Sequence, residues 1–177
     1  QTRLKLTGID ASFRLSYELL DLGTRKLWRK LAVFVDTFSG AAAALLWQLD
    51  AETTQDALSM LVKHNLLEWN PVWSPVDTSI MYTAEDGHKF EIGGGGRYRL
   101  HELARLFADA QMSSRERSAS QRRHAQIYKD FVRIANDLYL RSGEALQRGL
   151  ALFDLEWTNI RTGQAWGEAR AGNNDFA

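Results

Sequence analysis

Between residues 70 and 100 the apolar spacing of this chain switches from helical to alternating and then back again. On either side, apolar residues recur every three or four positions, the period of an amphipathic helix. Inside the segment, Ile80 and Tyr82 alternate with polar neighbours, Asp86-Gly87 is a turn signal, and His88, Phe90 and Ile92 alternate on the return. Both prolines, Pro71 and Pro75, lie on the approach, which suits an irregular segment or an edge strand. Gly93 to Gly96 form a flexible joint before a last strand carrying Tyr98 and Leu100. Helices followed by one small hairpin predict a winged helix-turn-helix, with the wing at about residues 70–100.

Residues 10–67 read as helices. Asp10 is the expected N-cap of the first, which presents Phe13, Tyr17 and Leu20. Gly23 reads as its C′ residue and Thr24 as the cap of a second helix with Leu27, Trp28, Leu31 and Phe34. Ser39-Gly40 sets off an Ala-rich helix from Ala41 to Leu49. Asp50 caps a fourth, with Ala57, Leu58, Leu61 and Val62 on its apolar face, and Leu66, Leu67 and Trp69 leave it as a short strand. Beyond the wing, Leu103, Leu106 and Phe107 mark a short helix. Ile127, Phe131, Ile134 and Leu138 then form one stripe, and Tyr128, Val132, Ala135 and Tyr139 a second beside it. A helix apolar on two sides sits between neighbours, as in helical repeat arrays. After Ser142-Gly143, Leu146, Leu150, Phe153, Trp157 and Ile160 define a final helix. The expected fold class is mainly α, with a winged-helix domain over residues 1–111 and a helical hairpin over 112–177.

The charges balance at 22 Lys+Arg against 22 Asp+Glu, so no global field draws the chain to nucleic acid or membrane. Cysteine is absent, which removes disulfide and thiolate chemistry and fits a reducing compartment; the expected location is the cytoplasm. No apolar run reaches the roughly 20 residues of a membrane helix. The chain opens on Gln1, and it reads as a piece of a larger protein.

Familiar catalytic patterns are missing. Gly93 to Gly96 are followed by a strand and by no Gly-Lys-Ser/Thr, so they are not a phosphate loop. His101-Glu102 begins like a zinc protease motif, but Arg105 stands where the second histidine belongs. His64, His88, His101 and His124 are too scattered to be metal ligands, and no Gly-x-Ser-x-Gly elbow occurs. The chain by itself is expected to be no enzyme, with no catalytic residue and no metal. DNA binding is the natural competitor for a winged helix. However, the helix that would enter the groove, roughly Ala51 to Asn65, carries Glu52 and Asp56 against Lys63. The basic stretch lies elsewhere, at Arg115, Arg117, Arg122, Arg123, Lys129 and Arg133, and reads either as a solvated helix face or as a nucleic-acid contact. Trp69 and Trp73 at the base of the wing read either as exposed contacts or as hairpin packing.

One junction stands out. In Tyr98-Arg99-Leu100-His101-Glu102-Leu103 a strand end runs into a helix start. Unpaired N–H groups and partial positive charge at a helix start suit anions such as phosphate, to which an imidazole can donate. By position alone, a histidine at such a junction is most often a satisfied structural residue.

This hexapeptide, with other pieces in order, resembles the winged-helix region of the NB-ARC class of STAND signalling ATPases, found in apoptosis activators, plant resistance proteins and bacterial regulators. The pieces are Leu15-Ser16-Tyr17-Glu18-Leu19-Leu20, Leu31-Ala32-Val33-Phe34, the Ala41–Trp47 helix, and Ala57-Leu58 with Leu61-Val62 leading to Leu66-Leu67-Glu68. Leu100-His101-Glu102 is similar to the family's Met-His-Asp motif, with Leu for Met and Glu for Asp. The tail, with Glu156-Trp157-Thr158-Asn159-Ile160-Arg161 and then Trp166, resembles the lead-in to the tetratricopeptide (TPR) repeats of bacterial members.

The resemblance implies that His101, flanked by Leu100 and Glu102, senses nucleotide by contacting the β-phosphate of ADP on a preceding phosphate-loop domain. The module would clamp the inactive ADP state, and exchange for ATP would release it and permit homo-oligomerisation. ADP or ATP with Mg is then the cofactor of the full-length parent and not of this chain alone. The implied partners are the upstream nucleotide-binding domain and the downstream helical repeats of the same protein. Two other expectations stand beside it: a winged-helix transcription regulator touching DNA through the wing or the basic helix, and a protein–protein adaptor without nucleotide.

Overall fold

A computed structural model describes residues 8–71, 79–83, 87, 89–93 and 95–171, with residues 8–12 described through their backbone only. Trp73, Pro75, Asp86, His88 and Gly94, all invoked above, lie outside the described residues.

Helix α1 (Gly8–Leu19) begins two residues before Asp10, so the helix start is not at the expected cap. Helix α2 (Leu22–Lys30) begins where Gly23 was expected to close α1. The reason is Asp21, whose carboxylate accepts from the Thr24 amide at 3.0 Å and from the Thr24 hydroxyl at 2.5 Å. These two bonds hold the Asp21 carboxyl below the usual range and place Gly23 inside the first turn. A 3-10 turn (Leu31–Val33) leads to strand β1 (Phe38–Ser39). Helix α3 (Gly40–Trp47), capped by Ser39, has every residue from Ala41 to Trp47 buried, as expected of a helix apolar on all sides. Helix α4 (Ala51–Lys63) has the expected cap, with Asp50 accepting from the Thr53 amide at 2.8 Å. Its inner face buries Leu58 and Leu61.

Strands β2 (Glu68–Pro71), β3 (Ile80–Thr83), β4 (Lys89–Ile92) and β5 (Gly96–Arg99) follow. β3 and β4 pair antiparallel, Ile80 opposite Ile92 and Tyr82 opposite Phe90, as the alternation required. β5 lies between β1 and β2 in a three-stranded antiparallel sheet. Trp69 is half exposed, yet its indole lies across Gly96, where a Cβ would come within 2.1 Å of the ring nitrogen. Trp69 therefore packs the base of the hairpin, and a side chain at 96 would displace it.

Helices α5 (Glu102–Ala110), α6 (Ser114–Tyr139) and α7 (Glu144–Ala171) complete a mainly helical chain. α6 buries Ile127, Tyr128, Phe131 and Ala135, close to the expected stripes. α7 departs from expectation. Its buried face runs through Gly149, Leu152, Glu156, Asn159, Ile160 and Gly163, while Leu150 and Trp157 are exposed. The glycines explain the shift. A Cβ at 149 would lie 2.6 Å from the Ala135 carbonyl and 2.8 Å from the Tyr139 amide, and one at 163 would lie 3.2 Å from Ala125 Cα. The two backbones run antiparallel at close approach, and this sets which face of α7 turns inward.

A sign reversal tests that approach. Alanine ordinarily stabilises a helix interior over glycine by up to about 1 kcal/mol. Gly149→Ala is nevertheless expected to destabilise by about 1–3 kcal/mol, because a helix backbone must retreat. Gly167→Ala, in the same helix with nothing within 4 Å of the new methyl, is expected to stabilise. Urea denaturation of both variants decides; stabilisation by each would show that the helices lie farther apart.

The helical hairpin is joined to the sheet by buried polar groups. Arg97 on β5 donates through both terminal nitrogens to Glu156 on α7, one bond being 2.9 Å from Nη2 to Oε2. The side chains are 3% and 0% exposed. Arg97 Nη2 and Asn159 Nδ2 both donate to the Thr37 carbonyl, at 2.8 and 2.9 Å. Burial, followed by the charge of Glu156, pushes the Tyr128 hydroxyl up. It stays protonated and sits 3.3 Å from Glu156 Oε2 as a donor.

Candidate functional site

His101 is the last residue before α5 and follows β5 by one residue. The strand fixes its approach: Tyr98 pairs with Phe38 on one side and Trp69 on the other. Leu100 is buried and anchors the backbone immediately before the histidine. Glu102 is exposed in the first turn of α5, where a carboxylate complements the helix dipole. Of the expected triplet, then, Leu100 holds the junction while His101 and Glu102 face outward.

The imidazole is exposed and acts as its own helix cap. Its Nδ1 accepts from the Leu103 amide at 3.3 Å, and its carbonyl accepts from the Arg105 amide at 2.9 Å. A ring accepting at Nδ1 carries its proton on Nε2, which leaves one outward N–H donor. The Phe13 ring lies 6.2 Å away, centroid to centroid. His101 thus stands at the edge of an open cleft of about 330 Å³ lined by Phe13, Asn65, Leu66, Leu67, Glu68 and Ala104.

The floor of this cleft is firmly built. The Leu66 carbonyl accepts from the buried Trp28 indole at 2.9 Å, and Trp28 packs against Tyr17 and Phe107. The electrostatics are spare: one imidazole donor and a helix start face Glu68, with no lysine or arginine among the described residues of the lining. Such a cleft can contribute a bond to a phosphate held by other groups. Its described residues supply no lysine or arginine with which to hold one alone.

The remaining expected features are dispersed. His64 is half-buried at the C-cap of α4 and His124 is buried in α6. Among the described residues no three His, Asp or Glu side chains converge as metal ligands would, and no helix is long and apolar enough to cross a membrane. The outward face of α4 presents Glu52, Asp56 and Lys63. The Glu156 and Asn159 pattern, read in the sequence as a repeat signature, turns inward to hold Arg97 and Thr37. Arg97 itself escaped the sequence reading. Alternation gave no signal for it: one residue from inward Tyr98, Arg97 reads as outward, and its burial is seen only in the structure. Comparison of the chain with protein-family models, with curated proteins and with solved structures gives no match in any of the three.

Proposed function

We propose that residues 1–111 form the winged-helix module of an NB-ARC-class signalling ATPase, with His101 as sensor of ADP bound to an upstream domain of the same protein. The observation that carries this reading is the exposed imidazole at the start of α5. It stands on a cleft edge, anchored by buried Leu100 and carrying one free N–H donor. The winged-helix part is supported by the order of elements, α2–β1–α3–α4–β2–β5 with the β3–β4 hairpin inserted before β5, and by the central place of β5 in the sheet. Duplex DNA is disfavoured, because the exposed face of α4 carries Glu52 and Asp56 against one lysine and phosphate neutralisation dominates such binding. α6 and α7 would then join the switch to downstream helical repeats, in a cytoplasmic protein that homo-oligomerises when released.

A contact made in only one of two conformations biases their equilibrium by its differential energy. A charge-assisted hydrogen bond from His101 is worth about 1.5–3 kcal/mol, which moves such an equilibrium by one to two decades. His101→Ala in the full-length protein is therefore expected to speed ADP loss by roughly ten- to hundredfold. Unchanged ADP retention would refute the sensor role. The present chain alone, with no lysine or arginine among the described residues lining that cleft, is expected to show no micromolar ADP binding there. Transfer of His101 ring resonances on ADP addition would overturn this.

A further inference from the structure

A second cleft, of about 660 Å³, opens between α2, the C-terminal end of α3 and the first turns of α6. Two basic stripes converge there. Lys26, Arg29 and Lys30 come from α2; Arg115, Arg122 and Arg123 come from α6. Lys26 and Lys30 are one turn apart, and Arg115 and Arg122 two turns, so each set shares a helix face. In a chain whose charges balance at 22 and 22, this lining sets six cations against one carboxylate, Glu116.

That carboxylate is already engaged. Arg29 Nε lies 2.9 and 3.0 Å from its two oxygens. Arg123 is held at the rim by its Nε bond to the Leu45 carbonyl at 3.0 Å, which fixes the direction of its guanidinium. Lys26, Lys30, Arg115 and Arg122 form no ion pair among the described residues. A solvated helix face usually intersperses both signs and points outward. Here like charges from two helices face one hollow, and Lys30 is half-buried in it. Burial, then the charge of Lys26, holds the Lys30 ammonium below the usual lysine range, with Glu116 opposing them.

The lining also narrows the ligand. Guanidinium forks and ammonium groups match phosphate oxygens, and several converging cations match several phosphates. Among the described residues no aromatic side chain lines the cleft, and Leu46 and Ala119 are its apolar members. The described lining therefore offers no aromatic ring on which a base could stack. A short hollow suits a compact anion better than a duplex, which spreads its phosphates along a ridge. We infer that the α2–α6 cleft binds a compact polyphosphate, either an inorganic oligophosphate or a small molecule bearing several phosphate groups. This assignment is independent of the nucleotide-switch reading.

The test is calorimetry on this 177-residue chain with inorganic tripolyphosphate as probe. The expected result is one site, with affinity that weakens as salt is raised and is lower for pyrophosphate. Arg115→Gln and Arg122→Gln, both at exposed positions, are expected to weaken binding by about fivefold each and by more than tenfold together, with the urea midpoint unchanged. A Lys89→Gln control on β4 is expected to bind as the parent does. Absence of binding at 50 mM salt, or equal binding by the double variant, would overturn the assignment. A short DNA duplex that binds more tightly and is not displaced by tripolyphosphate would overturn it in favour of a nucleic-acid face. A phosphorylated metabolite that displaces tripolyphosphate would identify the small-molecule source; failure of a metabolite panel to compete, with tripolyphosphate still bound, would identify the inorganic one.

Discussion

Replacing Glu156 with alanine is expected to destabilise the fold by about 3–5 kcal/mol, the range for breaking a buried ion pair on one side. Total stability for a domain of ordinary size is about 5–15 kcal/mol, so the loss is a large share of it. The cause is the group left behind. Arg97, 3% exposed at its side chain, would keep its charge with the Thr37 carbonyl and hydroxyl as its remaining hydrogen-bond acceptors among the described residues. The Tyr128 hydroxyl would lose an acceptor as well. Removing both charges at once, with Arg97→Met and Glu156→Leu, is expected to recover most of the loss, since apolar replacements of buried ion pairs are often neutral or better. Urea denaturation of the three proteins measures this directly. A cost below about 1 kcal/mol for Glu156→Ala would place the pair in solvent-screened surroundings, contrary to the packing described.

Acidification is expected to destabilise the protein through His124. This histidine is 2% exposed, lies beside the rings of Phe34 and Tyr128, and has no hydrogen-bond partner at Nε2. Burial, opposed in part by an interaction with Asn159, lowers its pKa from 6.5 to about 4. Between those values the unfolded chain binds the proton and the folded chain does not. Stability is therefore complete above pH 6.5 and falls as the pH drops toward 4, by about 3 kcal/mol in all. Carboxylates elsewhere also titrate in this window, so the comparison must be with a variant. His124→Gln is expected to flatten the slope of unfolding free energy against pH between 6.5 and 4.5. Parallel slopes for the two proteins would show that His124 is not buried in its neutral form.

The parts of this architecture set by neighbours in sequence were the legible ones. Alternation at Ile80, Tyr82, Phe90 and Ile92 pointed to the hairpin, while its register, with Ile80 opposite Ile92 and Tyr82 opposite Phe90, came only with the structure. Asp50 stood directly before a helical stripe and caps it. Asp21 was missed because Gly23 offered a simpler stop signal, yet two bonds to Thr24 outweigh it. Which face of α7 turns inward was missed for a different reason. Apolar spacing pointed to Leu150 and Trp157, whereas backbone proximity at Gly149 and Gly163 decided the matter. His101 was legible as a residue at a strand–helix junction. Its role as its own cap, and the cleft beside it, depend on Phe13 and Asn65, far away along the chain. The basic run in α6 was plain in sequence, but nothing local announced that Lys26 and Lys30 would face it.

The Thr37 carbonyl gives the assembly a chronology. In the order of synthesis it precedes both of its donors, which come 60 and 122 residues later, from Arg97 and Asn159. Closing such long loops costs chain entropy before the contacts return it, which slows folding. A nascent chain halted before α7 would hold that acceptor half satisfied and Arg97 without its counterion. Helix α7, synthesised after the sheet it braces, is thus the element that completes the bonding of the approach to β1.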